Sequence, residues 1–421
     1  MMDKTAILYS EYIIDGVQQE LTPAQMLANV LTSTQDSGKE SLHFMRWPLT
    51  GERSEDGVKE LPNSRPEEHP EGGLTGQGEN PEKLEPILDE TLDPTFKALE
   101  FDGSKIKEYL KKVSAIQPKS RTFQPAFAAS LTKSQIATAL IDTIWCKGQF
   151  SLGDLALKAS WRWNPEPIGN MAAFYSSVEA AADYIDALGI RLAGVDVETA
   201  KTNRIDFSAT LLRKEDDDEE DLLERFPYHS GSPELSSNRM LSDSLSSDKD
   251  SWIVFIPFET CVPRLGGSIL AEALNASGGI PLDINDADYF IDCYEVVREF
   301  VEDGIAISGA TVGPGGLLPA LKRMTGLRTG AKIDLGGLIS SSGEKDLVRL
   351  LFTEIPGAVI QIKDIDYDYI EAELLLQDVV FFPLGHPVSG TSDIEIAASD
   401  KSGIQNILES LINSQSSEGE D

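Results

Sequence analysis

The sequence has few cysteines and histidines, the residues that zinc sites and thiol redox sites require. Its 421 residues include three cysteines and four histidines. Cys146, Cys261 and Cys293 stand far apart without a Cys-x-x-Cys pair, and the histidines are scattered. This argues against a zinc site or a disulfide framework and favours three buried thiols in a reducing compartment. The scattered histidines favour solvated or structural roles over catalysis.

Positive charge and long apolar runs are also scarce. There are 36 Lys and Arg against 70 Asp and Glu, a formal net charge of −34. A field of that sign repels nucleic acid and anionic lipid, so neither is an expected partner. No run approaches the roughly 18 apolar residues that span a membrane, and the first residues lack the apolar stretch of a secretory signal. We therefore expect a soluble, cytoplasmic protein. No phosphate-binding motif of the Gly-x-x-x-x-Gly-Lys-Ser/Thr type occurs.

Composition divides the chain into ordered and polar parts. At 421 residues the chain is long enough for two or three domains, and its 41% of hydrophobic residues can form their cores. Residues 1–95 are unassigned and include a linker rich in Pro, Gly and Glu over 51–94. The acidic, serine-rich segment 214–250 is predicted to be a disordered insertion, and 401–421 to be a short helix with an acidic tail.

Between these segments the hydrophobic pattern alternates between helix and strand periods, which predicts an α/β fold. The predicted helices are 134–145, 168–188 (ended by Gly189), 287–301 and 346–352. The predicted strands are 155–157, 190–195, 205–212, 252–256, 304–308, 358–362 and 378–382.

Two glycine-rich turns are candidates for binding phosphate through backbone N–H groups. One is Gly313-Pro314-Gly315-Gly316, which joins an apolar strand to an amphipathic helix; the other is Leu265-Gly266-Gly267-Ser268, preceded by Arg264. A helix N-terminus after such a turn favours anions. The alternative is a tight turn that packs closely and needs glycine for steric reasons. Arg264 either adds a charge-assisted bond to phosphate or is a surface residue.

Five short islands resemble one known family in order and spacing, over roughly residues 120–390. They are Leu155-Ala156-Leu157 with Asn164-Pro165-Glu166 and the helix ending at Ala187-Leu188-Gly189, then Ala193 to Glu198, Leu265 to Ser268, the Gly313 turn with Leu317, and Leu351-Phe352-Thr353-Glu354. The pattern is similar to the aminoimidazole ribonucleotide synthetase superfamily, and more narrowly to the second half of phosphoribosylformylglycinamidine synthase.

The resemblance implies a two-domain architecture. A mixed-sheet domain with helices on one face would occupy 96–258 and an α/β sandwich domain 259–400. In this superfamily the first sheet pairs into a barrel with a second copy, so a homodimer or a pairing with a synthase-like chain is expected. The apolar strands 205–212 and 252–256 predict a largely apolar pairing face.

The resemblance also implies Mg²⁺ with ATP or ADP, but the chain departs from the family at the positions that would hold them. Where the family has carboxylates, Lys158, Thr311 and Pro314 stand here, and no catalytic residue is assigned. The acidic residues left at family-like positions are Asp196, Glu198 and Glu354. They either form a metal site or are chance acidic residues in an acidic chain.

Asn164 and Glu166 border the implied nucleotide site and are candidates for binding it. The neighbouring Trp161, Arg162 and Trp163 either fill that space or offer a stacking surface for a base.

Two hypotheses of function follow. In the first, the chain is a diverged, non-catalytic homologue that binds a nucleotide or a partner protein. In the second, it is a functional half or subunit of an ATP-dependent formylglycinamidine ribonucleotide synthase, a carbon–nitrogen ligase of de novo purine biosynthesis.

Overall fold

The protein folds as a mixed α/β structure built on two main sheets. The computed structural model describes residues 4–31, 125–212, 239–273, 279–344 and 346–397. These residues belong to one compact unit, which comprises Met1–Ser33 and Thr91–Asp421. The predicted linker 51–94 and the predicted helix and tail 401–421 lie outside the described residues.

The first sheet has three strands in the order β4-β3-β5: β3 (Leu155–Trp163), β4 (Arg191–Thr199) and β5 (Arg204–Leu211). β3 pairs in parallel with β4 and antiparallel with β5, so the sheet is mixed, as predicted. Helices α3 (Ala128–Ile144) and α4 (Asn170–Ala187) accompany it, and α4 connects β3 to β4. Gly189 ends α4 with a φ of 67°, the left-handed conformation that a C-terminal glycine supplies.

The two faces of this sheet differ in polarity. Trp161 and Trp163 are fully buried, and their indole N–H groups donate to Ser177 Oγ and Asn170 O of α4 at 2.9 and 2.8 Å. Because strand side chains alternate, the other side chains of the three strands share the opposite face, which is polar in the described part of the chain and is called the open face below. It carries three cations and three carboxylates: Lys158, Arg162, Arg204, Asp196, Glu198 and Asp206. The predicted apolar pairing face is therefore wrong, and the described residues form no closed barrel.

The second sheet has six strands in the order β11-β8-β10-β6-β9-β7. The strands are β6 (Ser251–Pro257), β7 (Ala306–Val312), β8 (Thr329–Asp334), β9 (Gly357–Lys363), β10 (Phe382–Ser389) and β11 (Ile394–Ala397). All neighbours are antiparallel except β11 with β8. β6 lies inside this sheet, so the boundary expected at 258 does not separate the two sheets. The strand predicted at 378–382 begins only at Phe382, and Asp378 takes a positive φ of 54°, outside the strand region.

Helices cover both faces of the second sheet. One core is formed with α7 (Leu317–Met324), α8 (Gly336–Ser342) and α9 (Leu347–Phe352). On the other side α6 (Ala287–Glu302) packs near β6, where Cys293 Sγ lies 3.6 Å from Pro257 O. The remaining helices of the second half are α5 (Ile269–Ala273) and α10 (Tyr367–Leu376). α3 contacts β5 of the first sheet and β7 and β9 of the second, so one helix joins both sheets.

The N-terminal region, unassigned from sequence, packs against the first sheet. It contains α1 (Lys4–Tyr9), the hairpin β1 (Ile13–Ile14) and β2 (Val17–Gln18), and α2 (Pro23–Val30). Thr22 and Gln25 form a capping box at the start of α2. The rings of Tyr12 and Tyr175 lie 5.2 Å apart, which connects this region to α4.

The end of the predicted acidic insertion is placed by specific contacts. Residues 213–238 lie outside the described part of the chain, but 239–250 do not. Leu245 joins the core of the second sheet. The side chain of Gln361 accepts from Ser246 N at 2.8 Å and donates to Ser246 O at 3.0 Å. The prediction of disorder is therefore wrong for 239–250, because this segment supplies hydrogen-bond partners to the buried side chain of Gln361 in β9.

Asp346 at the start of α9 should make stability depend on pH. Its Oδ1 accepts from Val348 N at 2.9 Å, while Oδ2 accepts no hydrogen bond. Burial is the main cause that raises the pKa of Asp346 to about 6, against the opposing charge of Arg349. The folded protein then binds this proton more tightly than the unfolded chain, so protonation of Asp346 stabilises the fold. This stabilisation is complete below pH about 4 and is lost as the pH rises through about 6.

We expect Asp346→Asn, which keeps a capping side chain, to remove this dependence. Relative to the variant, wild type should lose about 2–3 kcal/mol of unfolding free energy between pH about 4 and 7. Urea unfolding of both proteins across that range measures it. A difference between them that stays constant with pH would contradict the expectation.

Candidate functional site

The two glycine-rich turns meet at a buried carboxylate. Glu354 follows α9, and its Oε1 accepts from Ile269 N at 2.7 Å and from Gly315 N at 2.9 Å. Its side chain is almost completely buried. The Glu354 carboxylate therefore occupies the place near the N-termini of α5 and α7 to which a negative group would be attracted. Glu354 thus bridges the two turns that sequence reasoning singled out for phosphate.

Three further candidate N–H groups also have internal acceptors. Gly316 N donates to Gly313 O at 2.9 Å, Gly266 N to Ile280 O at 3.0 Å, and Ser268 N to Leu265 O at 3.1 Å. Ser268 Oγ accepts from Ala271 N and so caps α5. These bonds favour the tight-turn interpretation over a phosphate cradle, because a donor already paired inside the fold is not available to a ligand.

Close packing gives a second reason for glycine in these turns. A Cβ on Gly266 would lie 2.4 Å from backbone atoms of Ile280, and one on Gly316 would lie 2.7 Å from the backbone of Phe352 and Thr353. Gly267 and Gly313 are similarly close to Phe127 and Thr138. Arg264 uses its backbone N–H and C=O to bond Thr353 Oγ1 at 3.2 and 3.1 Å.

A polar cluster that sequence reasoning missed lies beside the Gly313 turn. The Thr311 hydroxyl donates to Asp142 Oδ1 at 2.6 Å and accepts from Trp145 Nε1 at 2.8 Å. The Arg239 guanidinium lies 5.6 Å from the centre of the Trp145 ring and donates to Gly309 O. Burial, then Asp142, raises the pKa of the Cys146 thiol to about 12, so the thiol stays protonated. The available signal was Asp142, a carboxylate between the buried Ile141 and Thr143 of α3.

A small cavity lies where α3, β5 and the Gly313 turn meet. Its volume is about 40 Å³, and its lining includes Thr138, Asp142, Ser208 and Pro314. Both carboxylates at the cavity have partners, since Asp142 binds Thr311 and Asp206 pairs with Arg204 at 2.7 Å. A space of this size holds about one water molecule.

Asn164 and Glu166 organise a turn. Asn164 Oδ1 accepts from Glu166 N at 3.1 Å, and Asn164 Nδ2 donates to Lys201 O at 3.0 Å. Two asparagines that sequence reasoning did not single out support the same turn: Asn203 Oδ1 accepts from Asn164 N, and Asn170 Nδ2 donates to Asn164 O. The Glu166 side chain is exposed. The buried Trp161 and Trp163 agree with the space-filling interpretation, because neither presents a ring for a base.

The three candidate metal ligands are not brought together. Asp196 and Glu198 lie on the open face of the first sheet, whereas Glu354 is bonded to Ile269 and Gly315 in the second half. In the described part of the chain no group of three His, Cys, Asp or Glu side chains is arranged to hold a metal ion.

Of the thiols, Cys146 and Cys293 are buried as predicted, and Cys261 is half-buried. His386 has a structural role, with its ring 4.0 Å from that of Trp252.

Comparisons with known proteins address the resemblance. No protein-family model matches the chain. Human phosphoribosylformylglycinamidine synthase is 22% identical over 251 residues, which are 59% of this chain and 17% of the human protein. The probable chloroplastic/mitochondrial synthase of Arabidopsis thaliana is 22% identical over 258 residues, 61% of this chain and 17% of that protein. The chain resembles phosphoribosylformylglycinamidine synthase. The resemblance expected from sequence is confirmed, and the matched part spans about a sixth of these relatives.

Two solved structures from T. maritima are also similar to the chain. PurL complexed with FGAR has a TM-score of 0.48 and 12% identity, with 68% of this chain and 44% of that chain covered. PurLQS has a TM-score of 0.44 and 14% identity, with 71% of this chain and 48% of that chain covered.

The three residues that the resemblance places at ligand positions, Lys158, Thr311 and Pro314, do not fit Mg²⁺ with ATP. Pro314 lines the small cavity, Thr311 bonds to Asp142 at its wall, and Lys158 is the cross-strand partner of Ser208, which also lines it. None of these three side chains is a carboxylate, the ligand that Mg²⁺ prefers beside phosphate oxygens.

Within the described ranges, no helix is both long and apolar enough to cross a bilayer.

Proposed function

We propose that the chain is a non-catalytic homologue of the second half of phosphoribosylformylglycinamidine synthase, acting by binding a partner protein or a nucleotide. The observation that carries this proposal is the cavity at Pro314. Its volume is about 40 Å³, whereas pockets for cofactors and similar ligands measure roughly 300–1,000 Å³. This cavity is therefore too small for a nucleotide, whereas a separate cavity of about 330 Å³ lined by Cys261, Leu317 and Thr353 falls within that range.

The chemistry of the cavity supports the same conclusion. Phosphoryl transfer depends on positioned metal ions and on electrostatic stabilisation of the transferred group. Here the Thr311 hydroxyl donates a hydrogen bond to Asp142, and Arg204 Nε and Nη2 donate to Asp206 at 2.7 and 2.9 Å. The carboxylates that face the cavity are thus engaged within the protein.

The domain division and the pairing partner are part of the proposal. We place the division before Ser251, because β6 belongs to the six-stranded sheet. Pairing with a second copy or with a synthase-like chain would use the polar open face of the first sheet. Its three cations and three carboxylates allow complementary contacts between two copies.

An activity assay tests the proposal. The purified chain, given Mg-ATP, formylglycinamide ribonucleotide, and glutamine or ammonia, should hydrolyse no ATP above background and form no amidine. The control is Asp142→Asn, which removes a carboxylate of the cavity wall. Mg-dependent turnover by wild type that disappears in Asp142→Asn would refute the non-catalytic assignment.

The alternative is that the chain is the functional second half of a split synthase. The coverage favours keeping it, because the match includes only 17% of each relative and leaves room for a separate catalytic polypeptide. Adding this chain to a polypeptide that carries the first half should then raise amidine formation. No increase in that reconstitution favours the partner-binding role.

A further inference from the structure

Helix α10 exposes an apolar stripe to solvent. We define the α10 stripe as Ile365, Tyr369, Ala372 and Leu376, which follow one another at intervals of four, three and four residues. Ile365 is 85% exposed, Tyr369 48% and Leu376 79%. Ala372 is exposed as well. This spacing places Tyr369, Ala372 and Leu376 on one face of α10, and Ile365 lies in the short 3-10 turn Asp364–Asp366 just before the helix.

The α10 stripe is not the face by which the helix packs on the protein. The side chains of Ile370 and Leu374 are buried and anchor the opposite side of α10. Leu375 and Val380 are 63% and 38% exposed and widen the apolar surface. Single exposed apolar residues are common, but a contiguous set on one helix marks an interaction site.

Carboxylates border the stripe on both sides. On a helix of 3.6 residues per turn, Asp368 falls along one edge of the stripe and Glu373 along the other. Asp364 and Asp378 lie at the two ends of the segment. A second copy is a poor occupant, because a two-fold contact on one helix face would bring these acidic borders together.

We propose that the α10 stripe binds an amphipathic helix of a partner protein, apolar on its docking face and flanked by Lys or Arg. Its apolar side chains would pack on Tyr369, Ala372 and Leu376 at helical spacing. Its cations would face Asp368 and Glu373. Such borders steer encounter and select the partner, while the apolar contact supplies most of the affinity.

The test uses a synthetic 14-residue peptide with leucines on one face and lysines beside them. An otherwise identical peptide carries glutamates instead. Binding to the full chain is measured by fluorescence anisotropy at about 0.15 M salt. We expect saturable binding of the lysine peptide and none of the glutamate peptide. Leu376→Lys should weaken binding by at least roughly tenfold.

Leu327→Lys is the matched control. Leu327 is 96% exposed at a site outside α10, and the substitution changes the net charge by the same amount. It should leave the affinity within about twofold. Equal weakening by both substitutions would mean general attraction to an acidic chain and would overturn the proposal. So would tight binding of the glutamate peptide, no binding of either peptide, or a wild-type dimer that only Leu376→Lys dissociates.

Discussion

Gly316→Ala should destabilise the protein by more than about 3 kcal/mol. Gly316 has φ 88° and ψ −165°, a conformation that is essentially restricted to glycine. A Cβ there would also lie 2.7–2.8 Å from backbone atoms of Leu351, Phe352 and Thr353. Backbone atoms cannot turn aside as a side chain can, so α7 and the end of α9 would have to separate.

Gly189→Ala is the control for this substitution. Gly189 also has a positive φ, 67°, but no atom lies within 4 Å of the position of its Cβ. The cost there should be the conformational one alone, about 1–2 kcal/mol. Urea unfolding of both variants separates the effects of conformation and packing. Equal losses would contradict the close approach of α7 and α9.

Glu354→Ala should cost about 3–5 kcal/mol, because it removes the acceptor of two buried N–H groups. Ile269 N and Gly315 N would be left without their carboxylate partner, and a cavity would form beside them. Glu354→Gln keeps a carbonyl oxygen at nearly the same place, so it should lose less than half as much. Thermal and urea unfolding of the two variants measure this difference. A loss that is the same for Gln and Ala would show that the charge, and not the acceptor, is what the two turns require.

Local elements were predictable from sequence, but their assembly was not. The helix predicted at 287–301 is α6, and the strands predicted at 252–256 and 358–362 are β6 and β9. Periodicity identified them because each has one or two faces that must be buried. It did not place β6 in the second sheet, since its neighbours β9 and β10 come much later in the chain. The polar open face of the first sheet is not predicted either, because the apolar content of a strand does not show which side chains share a face.

The candidate site shows the same limit. Gly313 to Gly316 were recognised as a turn before a helix, which depends on neighbouring residues alone. Glu354, the acceptor for that turn, is predicted from sequence only as a possible metal ligand. Its contact with Gly315 joins residues distant in sequence, so no local pattern shows it. Asp142 and Trp145 were missed for a related reason: their partner, Thr311, lies on another element. Asn164 was noticed through the resemblance, whereas its hydrogen bonds within the turn follow from Lys201 and Asn203.

The position of β6 has a consequence for synthesis on the ribosome. β6 is made first among the strands of its sheet, yet both of its edges are covered by strands made late, with Trp252 opposite Ile362 and Phe255 opposite Phe382. Until those residues have emerged, an apolar strand has no partner on either side, and free strand edges promote association between chains. Pairing between strands that are distant in sequence also slows folding. A newly made chain therefore holds an apolar central strand without its two neighbours until β10 has left the ribosome.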